Sequence, residues 1–331
     1  MKILKSSEGF QQVRKGCVLT IGNFDGMHLG HQEILTRSRA IARDKGVEIV
    51  VMTFEPHPVA VLHPEKAPGV LTPLPMKLHL LKDYADDCII VLEDNKALLD
   101  LSPQDFVDKF LLAAIRPAAI VEGDDFNFGA GRTGNVDTLR QCGREKGFDV
   151  IVVPPRQVQL PSGKSMRVSS TLVRYMLESG HVAEAAVVLS RPYRLIGTVV
   201  SGWGRGRKLG FPTLNMDKPN QIIPTDGVYA GLVEIADTPE QLLQQSERRP
   251  AVFSIGKTTT FGDRHPRLIE AHLLEARLGE ATDKWMAMDF VQTLRNQHKF
   301  KTPEELTEQI AKDCQRARET LQKMVEGDRD G

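Results

Sequence analysis

Short apolar runs alternate with helix-forming segments over the first half of the chain. The runs are CVLTIG, VEIVVMTF, CIIVL, AAIV and FDVIVVP, and a helical pattern from about Gly30 to Lys45 separates the first two. This alternation is typical of a parallel sheet whose strands are joined by crossover helices. Ser102 and Pro103 predict the N-cap and first residue of a further helix, DFVDKFLLAAI. The pattern therefore predicts a doubly wound α/β domain, which we place at residues 1–186.

A proline-rich segment interrupts this domain. Six prolines lie between Pro56 and Pro75, in PHPVAVLHPEKAPGVLTPLP. Proline lacks a backbone N–H and disrupts both helices and central strands, so this segment cannot be regular structure throughout. We expect a long surface excursion over the sheet edge, of the kind that often carries substrate contacts.

The second half of the chain, residues 187–331, is rich in predicted strands. The runs YRLIGTVVSG, GVYAGLVEIA, PAVFSIG and RLIEAHLLE are separated by glycine-rich or polar turns, which is typical of an antiparallel barrel. A closing helix is predicted by the capping-box arrangement of Thr302, Pro303, Glu304 and Glu305. Its apolar stripe, which should dock on the barrel, consists of Leu306, Ile310, Ala317 and Leu321.

Composition and charge narrow the class of protein. Apolar residues make up 41% and charged residues 26% of the 331 residues, and the mean hydropathy is −0.25, which excludes fibrous and disordered chains. Lys and Arg number 43, and so do Asp and Glu, and each half is close to neutral, so we expect no nucleic-acid partner. No run of about 18 apolar residues occurs, so we expect no membrane partner.

The cysteines are not arranged in a pattern typical of cross-links or metal sites. Cys17, Cys88, Cys142 and Cys314 lie far apart and form no C-x-x-C pair, so we expect reduced thiols rather than a zinc site or a disulfide framework. The opening segment MKILKSSEGFQQVRKG has no apolar stretch typical of a signal peptide, and with no membrane span expected we predict a cytoplasmic protein. The sequence leaves its oligomeric state open.

The densest chemical signal is TIGNFDGMHLGH, at residues 20–31. A predicted strand ends in a loop with three glycines and then enters a helix, an arrangement that lets backbone amides approach an anion. His28 and His31 are three residues apart, so at the start of a helix they share a face and can both reach one phosphoryl group. The spacing fits neither the GxxxxGK[ST] loop nor the GxGxxG fingerprint.

Two other hypotheses remain open for this pair. An isolated H-x-x-H pair is more often a tight turn with two surface histidines, and it is the surrounding glycines that favour phosphate binding here. A metal site would need a third ligand, and the sequence places none nearby.

Four motifs together resemble a known family. GNFDGMHLGH resembles the H-x-G-H nucleotidyltransferases, and TFEPHP at 53–58, GDDFNFGAGRTG at 123–134 and VSSTLVR at 168–174 follow at the family's spacing. Over about residues 17–320 the chain is similar to the prokaryotic bifunctional riboflavin kinase and FAD synthetase family. The resemblance implies a Rossmann-like nucleotidyltransferase domain followed by a riboflavin kinase barrel with a C-terminal helix.

For the first domain, the resemblance implies transfer of the adenylyl group of ATP to FMN. His28 and His31 would stabilise the α-phosphate and the leaving pyrophosphate. The implied ATP-binding residues of this domain are Gly22, Asn23, Phe24, Asp25, Gly30, Ser170, Thr171 and Arg174. The implied flavin-binding residues are Phe54, His57, Pro58 and Asp125.

Ordinary structural roles remain open for several of these residues. Ser170 and Arg174 could be a plain N-cap and a solvated side chain at a helix start. Asp125 is a residue type that is common in turns, and Phe54 could simply be buried.

For the second domain, the resemblance implies phosphorylation of riboflavin by ATP. GWGRGRKLGFPTLN at 202–215 would close over the phosphates, with Gly206 and Lys208 as ATP-binding residues. GFPTLN resembles a signature that usually reads PTAN, and its Thr213 and Asn215 would supply neutral oxygens to Mg²⁺. Glu270 would take the proton of the ribityl hydroxyl. The open alternatives are a solvated basic loop and a solvent-facing strand glutamate.

Departures from the family pattern leave three hypotheses for the whole chain. Thr259 replaces a proline in IGKTTTFGD, Glu275 and Ala276 replace an Asp-Phe pair, and GEATDKW, which contains Thr282, replaces a Leu-Tyr-Gly turn. The first hypothesis is a two-site enzyme that uses ATP and Mg²⁺ to convert riboflavin to FMN and FMN to FAD. The second keeps only the adenylyltransferase and makes the barrel a non-catalytic flavin-binding module. The third is a flavin carrier or a nucleotide-sensing interaction protein that uses both pockets only for binding.

Overall fold

A computed structural model describes residues 1–93, 96–244, 247–257, 267–275 and 281–327, and it divides the chain into two compact units. The first unit contains residues 1–159 and 163–169, and the second contains 160–162 and the chain from Ser170 onward.

The grouping differs from the expected boundary after residue 186. It assigns the two helices at 170–189 to the second unit, because they are bound to its other elements. The backbone N–H of Thr225 donates to the carbonyl of Leu177 at 3.1 Å, and the hydroxyl of Thr293 donates to the carbonyl of Gly180.

The first unit is built on a fully parallel sheet, which confirms the α/β prediction. Among the described residues its six strands lie in the order β1-β4-β3-β2-β5-β8. The strands of this unit are β1 (Lys2–Lys5), β2 (Val18–Ile21), β3 (Ile49–Phe54), β4 (Cys88–Leu92), β5 (Ala119–Gly123), β6 (Asn127–Phe128), β7 (Gly134–Asn135), β8 (Asp149–Val153), β9 (Gln157–Gln159) and β10 (Ser165–Arg167).

Helices cover both faces of this sheet. The α-helices are α1 (Leu29–Lys45), α2 (Pro58–Leu62), α3 (Leu74–Leu81), α4 (Lys96–Leu99), α5 (Pro103–Asp105) and α6 (Val136–Lys146), and single 3₁₀ turns lie at Ser7–Gln12, Pro64–Lys66 and Ala130–Arg132. Val50 and Met52 pack into the core on one face, and Val51 and Ile89 into the core on the other. Burial on both faces explains why the strands are continuous apolar runs.

The helix predicted after Ser102 begins as expected. The Ser102 hydroxyl oxygen accepts the N–H of Asp105 at 3.1 Å, which caps α5. The continuation, Phe106–Ile115, is a π-helix rather than an α-helix, and it ends at Arg116 in the left-handed conformation. The sequence pattern predicted the helix but not its winding.

The strand order creates a crevice at the carboxyl ends of β2 and β5. From β2 the chain moves outward to β3 and β4 on one side, and from β5 it moves to β8 on the other. In open α/β sheets, ligands bind at this point of reversal. The GNFDG loop leaves β2 at this position, so the fold brings the predicted phosphate-binding loop to the crevice.

The second unit is a closed antiparallel barrel with the strand order β11-β12-β15-β14-β13-β16, as predicted. Its strands are β11 (Tyr193–Val200), β12 (Leu214–Met216), β13 (Gly227–Ala236), β14 (Arg249–Lys257), β15 (Arg267–Leu273) and β16 (Trp285–Asn296). Its helices are α7 (Ser170–Glu178), α8 (Val182–Leu189), α9 (Arg205–Lys208) and α10 (Pro303–Gly327), with a 3₁₀ turn at Gln241–Gln244.

The closing helix α10 packs on the barrel as the sequence predicted. The Thr302 hydroxyl oxygen accepts the N–H of Glu305 at 3.2 Å, and the Glu305 carboxylate accepts the N–H of Lys301 at 2.9 Å. Ala317 and Leu321 are buried against the barrel core. This helix forms one side of the cavity described below.

A buried ion cluster ties three strands of the barrel together. Arg194 on β11 donates to both carboxylate oxygens of Asp289 on β16, at 2.7 and 2.8 Å, and to Glu234 on β13 at 2.9 Å. It also donates to the carbonyl of Leu242 at 2.6 Å. The three charged side chains are at most 7% exposed, and the partly exposed Arg248 lies 3.5 Å from Asp289. Arg194 is therefore the buried cation that the two carboxylates share.

Replacement of Arg194 by Met is expected to destabilise the second unit by about 3–5 kcal/mol, because it removes the buried cation that two buried carboxylates share. Arg249→Met is the matched control, since Arg249 pairs with Glu247 in a largely exposed bridge and its loss should cost about 1 kcal/mol or less. Equilibrium denaturation of the two variants measures the difference. Equal losses would show that the buried cluster contributes no more than a surface pair.

Candidate functional site

Hydrogen bonds hold the glycine-rich loop of the first unit to a neighbouring segment. The Asp25 carboxylate accepts the backbone N–H groups of Leu71 and Thr72, the latter at 2.9 Å. The Thr72 hydroxyl oxygen in turn accepts the N–H of Gly26 at 2.8 Å. Gly26 has a φ of +86°, a conformation that glycine adopts readily. These bonds fix the loop before any ligand is present.

Three adjacent residues that were predicted to bind ATP, Asn23, Phe24 and Asp25, differ in their hydrogen bonds and packing. Asp25 is 6% exposed and uses both carboxylate oxygens in the loop, so its observed contacts are structural. The ring of Phe24 is buried and packs over Gly22, where a Cβ would come within 3.0 Å of it. Asn23 Oδ1 is buried and has no hydrogen-bond partner among the described residues. The contacts of these residues with ATP stay predictions.

His28 and His31 form a stacked pair at the start of α1. His28 is the N-cap, and its Nδ1 accepts the backbone N–H of His31 at 3.2 Å. The two rings are 3.6 Å apart and within 18° of parallel. A Cβ at Gly30 would lie 3.2 Å from His28 Nδ1, so glycine keeps the cap unobstructed. Because Nδ1 of His28 accepts a bond, its ring proton is on Nε2, which can donate to an anion.

The carboxyl end of β5 carries a buried acid that sequence reasoning missed. Glu122 is 3% exposed, and its Oε1 accepts the backbone N–H of Ile21 on β2 at 2.7 Å. Burial raises the pKa of the Glu122 carboxyl well above its ordinary value. The hydrogen bond from the Ile21 N–H opposes this shift, and the negative charge of Asp125 adds to it. The signal available in the sequence was a glutamate within the otherwise apolar strand AIVEG.

Asp125 lies at the surface beside β10. Arg167 pairs with Asp124 at 2.6 Å and with Asp125 at 3.4 Å. The Asp125 side chain is 77% exposed, so it is accessible to a ligand. Its role in flavin binding stays a prediction.

The TFEPHP segment caps the short helix α2. His57 Nδ1 accepts the N–H of Val59 at 3.1 Å, and Pro58 is the first helical residue. Phe54 is buried in the core, and its carbonyl accepts a hydrogen bond from the buried Lys77 at 3.1 Å. The open alternative, a buried phenylalanine, therefore describes Phe54 in this structure, and its role in flavin binding stays a prediction.

The VSSTLVR motif begins helix α7, which groups with the second unit. Ser170 is the first helical residue, Thr171 is exposed, and Arg174 is half-buried one turn later. This agrees with the predicted placement of the two hydroxyls at a helix start. Phosphate binding by these residues stays a prediction.

The second unit contains a cavity of about 760 Å³. Thr213, Asn215 and Glu270 line it together. The Thr213 hydroxyl donates to Glu270 Oε1 at 3.1 Å, and Asn215 lies opposite Glu270 in the pairing of β12 with β15. The structure thus brings Glu270 next to Thr213 and Asn215, although Glu270 lies 57 positions after Thr213 in the sequence.

A glycine-rich loop lies directly on this cluster. A Cβ at Gly202 would come within 2.1 Å of Asn215 Nδ2, and one at Gly206 within 2.3 Å of the Phe211 carbonyl oxygen. Gly206 lines the cavity, whereas Lys208 is exposed on α9 and does not line it. Glycine is required at 202 and 206 because the loop backbone touches the cluster.

The cavity is also lined by residues of α10 and of the end of β16. Arg295 donates to both carboxylate oxygens of the buried Asp313, at 2.8–3.1 Å, and its guanidinium lies 5.6 Å from the centre of the Phe300 ring. Sequence analysis did not identify Arg295 or Asp313 as candidate site residues. Other lining residues that were missed are Trp203, Gln297, His298 and Phe300.

Some sequence expectations fall outside the described residues. Thr259 and Ala276 lie in the undescribed segments 258–266 and 276–280, whereas Thr282 is an exposed residue in the turn before β16. Within the described ranges, no three His, Cys, Asp or Glu side chains are placed to hold a metal ion together. Of the helices described, none is both long and apolar enough to cross a membrane.

Comparisons with known proteins agree with the two-unit architecture. The family model described as FAD synthetase matches residues 10–172, and the one described as riboflavin kinase matches residues 189–321. The chain is 35% identical to the bifunctional riboflavin kinase/FMN adenylyltransferase of Escherichia coli K12 over 320 residues, which are 96% of this chain and 97% of the relative. It is 33% identical to the Bacillus subtilis protein of the same description, with 91% of each chain covered.

One solved structure is similar over the length of the chain. A crystal structure described as a macrolide-efflux protein from Streptococcus pneumoniae has a TM-score of 0.80 at 27% identity, and the match covers 96% of this chain and 99% of that one.

Proposed function

The chain belongs to the bifunctional riboflavin kinase/FMN adenylyltransferase family, and from this we propose which residues carry each of its two reactions. It phosphorylates riboflavin to FMN with ATP and adenylylates FMN to FAD with a second ATP, with release of pyrophosphate. Both family models match, so neither the adenylyltransferase-only hypothesis nor the binding-only hypothesis is supported. The macrolide-efflux description belongs to the pneumococcal protein and is not carried over.

We assign FMN adenylylation to the crevice of the first unit. The FMN phosphate attacks the α-phosphorus of ATP, so the protein must position two anions and stabilise the charge that develops. His28 donates from Nε2, and the stacked His31 presents a second ring to the same phosphoryl group. The positive end of the α1 helix dipole adds to this site. The stacked, capped histidine pair is the observation that carries the assignment.

The other predicted residues have supporting roles in this proposal. The loop from Gly22 to Gly30 shapes the phosphate site, and Asp25 acts by holding that loop to Leu71 and Thr72. Ser170, Thr171 and Arg174, at the start of α7, are proposed to bind the β- and γ-phosphates of ATP. Phe54, His57, Pro58 and Asp125 border the flavin.

We assign riboflavin phosphorylation to the cavity of the second unit. An alcohol is a weak nucleophile at neutral pH, and Glu270 takes its proton as it attacks the γ-phosphate. The hydrogen bond from Thr213 orients the Glu270 carboxylate. The loop at 202–206 closes over the phosphates, with Lys208 at its end. The Thr213–Glu270 bond inside the cavity carries this assignment.

The donor set of this cavity fits Mg²⁺. Thr213 and Asn215 offer hard, neutral oxygens, and the lone pairs of the Thr213 hydroxyl remain available because it donates its proton to Glu270. Magnesium is commonly held by one or two protein groups together with substrate phosphates, which suits the lack of a three-residue acidic cluster among the described residues. When bound, the ion neutralises charge on the phosphates of ATP.

Replacement of Thr213 by Val is expected to raise the Mg²⁺ concentration for half-maximal FMN formation by about tenfold or more, the scale of losing a ligand or its support. Asn215→Ala should shift it in the same direction. Thr320→Val is the control, because that hydroxyl is bonded to a carbonyl of its own helix. Unchanged magnesium titrations in both cavity variants would contradict the assignment.

Chromatographic product analysis tests the two-site function directly. With riboflavin, ATP and Mg²⁺ supplied, FMN should appear first and FAD after it, and with FMN supplied, FAD should form without a lag. Absence of FMN from riboflavin would return the barrel to a binding role.

We also propose that the partners are these small molecules rather than nucleic acid or a membrane, and that the protein works in the cytoplasm. Four buried, unpaired cysteines support a reducing compartment. We further propose that the division of labour follows the expected domains, 1–186 and 187–331.

A further inference from the structure

The main-chain pairing between β2 and β5 stops before the strands end. Val18 pairs with Ala119 and Leu19 with Ile120, and no later pair joins the two strands. On its other side β2 stays paired with β3 as far as Ile21 and Met52. The carboxyl ends of the two central strands therefore separate, and the crevice opens at this point.

A side chain occupies the place where the ladder stops. The backbone N–H of Ile21 donates to Glu122 Oε1 at 2.7 Å instead of to a carbonyl of β5. Ile21 immediately precedes Gly22, the first residue of the loop that leads to His28. On the other strand Glu122 precedes Gly123, where a Cβ would come within 3.3 Å of Ile34 on α1. One carboxyl thus spans the two strand ends that carry the site.

We propose that Glu122 is a positioning residue for FMN adenylylation, whose carboxyl replaces the missing main-chain partner of Ile21 and sets the start of the histidine-bearing loop. It touches neither reacting group and acts through the Ile21–Gly22 backbone. The inference rests on the proposed location of adenylylation in this crevice.

The charge of this carboxyl matters because both substrates are anions. Burial raises the pKa of Glu122, so the group stays neutral to a higher pH than an exposed glutamate does. Above that pKa, Glu122 carries a negative charge next to the loop that leads to the phosphate site, which disfavours binding of an anionic substrate. The strand ends on either side, Thr20–Ile21 and Val152–Val153, carry no titratable side chain.

Charged groups on the other neighbouring elements form their own pairs. Arg167 on β10 binds Asp124 and Asp125, and the charges of the adjoining π-helix are paired as Asp108 with Lys146 and Lys109 with Asp105. The histidine pair at the start of α1 is present in every variant, so each variant's pH profile is compared with the wild-type profile to isolate the effect of Glu122.

The test compares Glu122→Gln with Glu122→Val in the full-length enzyme. Gln keeps an oxygen for the Ile21 N–H but cannot ionise, whereas Val removes the acceptor. We expect Val to raise the KM for ATP in FAD formation across the pH range and Gln to restore much of the loss. In the wild type the same KM should rise above the pKa of Glu122, by up to about tenfold per pH unit, the limit for loss of one proton. Gln should abolish this rise.

Controls separate this inference from a loss of stability and from the proposed function. FMN formation by the same molecules should keep its pH profile, and Glu145→Gln, an exposed acid of α6, should behave as wild type. A wild-type KM in the Val variant, or an unchanged pH profile in the Gln variant, overturns the inference. If His31→Ala also kept normal FAD formation, the location of the reaction itself would be wrong.

Discussion

Glu270→Gln is expected to lower the rate of FMN formation by about two to four powers of ten, the range for loss of a general base. Glutamine keeps the size of the side chain and an oxygen that can accept the Thr213 hydroxyl, so the cavity geometry should persist. Only the ability to take the ribityl proton is removed. Single-turnover FMN formation, with riboflavin and ATP binding measured separately, isolates the chemical step.

Two controls show whether the loss of FMN formation in Glu270→Gln is specific to the kinase reaction. FAD formation from supplied FMN should be preserved, because that reaction is assigned to the other unit. Glu247→Gln provides a matched change in the same unit, at a side chain that is 75% exposed and lies outside the cavity. Near-normal FMN formation in Glu270→Gln would show that Glu270 is only a strand residue, whatever the control gives.

His31→Ala is expected to lower FAD formation by about a hundredfold or more, the scale for loss of a donor that stabilises transition-state charge. The His31 ring is stacked on His28, and its backbone N–H, which His28 accepts, is retained in the variant. The cap of α1 should therefore survive while the second ring at the phosphate site is lost. FMN formation from riboflavin should continue.

The control for this variant is His63→Ala, an exposed histidine of the first unit that should affect neither reaction. His31→Gln, which restores a donor, should recover part of the FAD formation. If both reactions fell equally in His31→Ala with unchanged thermal unfolding, the separation of the two sites would be refuted.

The sequence predicted the architecture but missed elements that depend on distant partners. β1 is only four residues, KILK, and is a strand because it pairs with β4 at Cys88–Val91. β16 contains Asp289 within a buried run, a pattern that makes sense only with Arg194, 95 positions earlier. Local patterns cannot reveal a pairing that the tertiary fold supplies.

The same distinction applies to the sites. The spacing of His28 and His31 predicted a shared face, and the structure stacks the two rings, because that contact lies within one turn of a helix. The role of Glu122 could not be predicted from local spacing, because its hydrogen-bond partner Ile21 lies 101 positions away. The Ile21 N–H bonds to this side chain only because β2 and β5 separate at that point. Arg295 and Asp313 likewise meet only when α10 docks on β16.

The position of β16 has a consequence for how the chain folds. It is the last strand in sequence, yet it lies between β11 and β13 and closes the barrel. The parallel sheet of the first unit is complete once the ribosome has made residue 153, whereas the barrel must wait for residues 285–296. Until then β11 and β13 each have an unpaired edge, and pairing distant strands is slow. During synthesis, the second unit therefore has the longer period in which unpaired strand edges are exposed to aggregation and to chaperone binding.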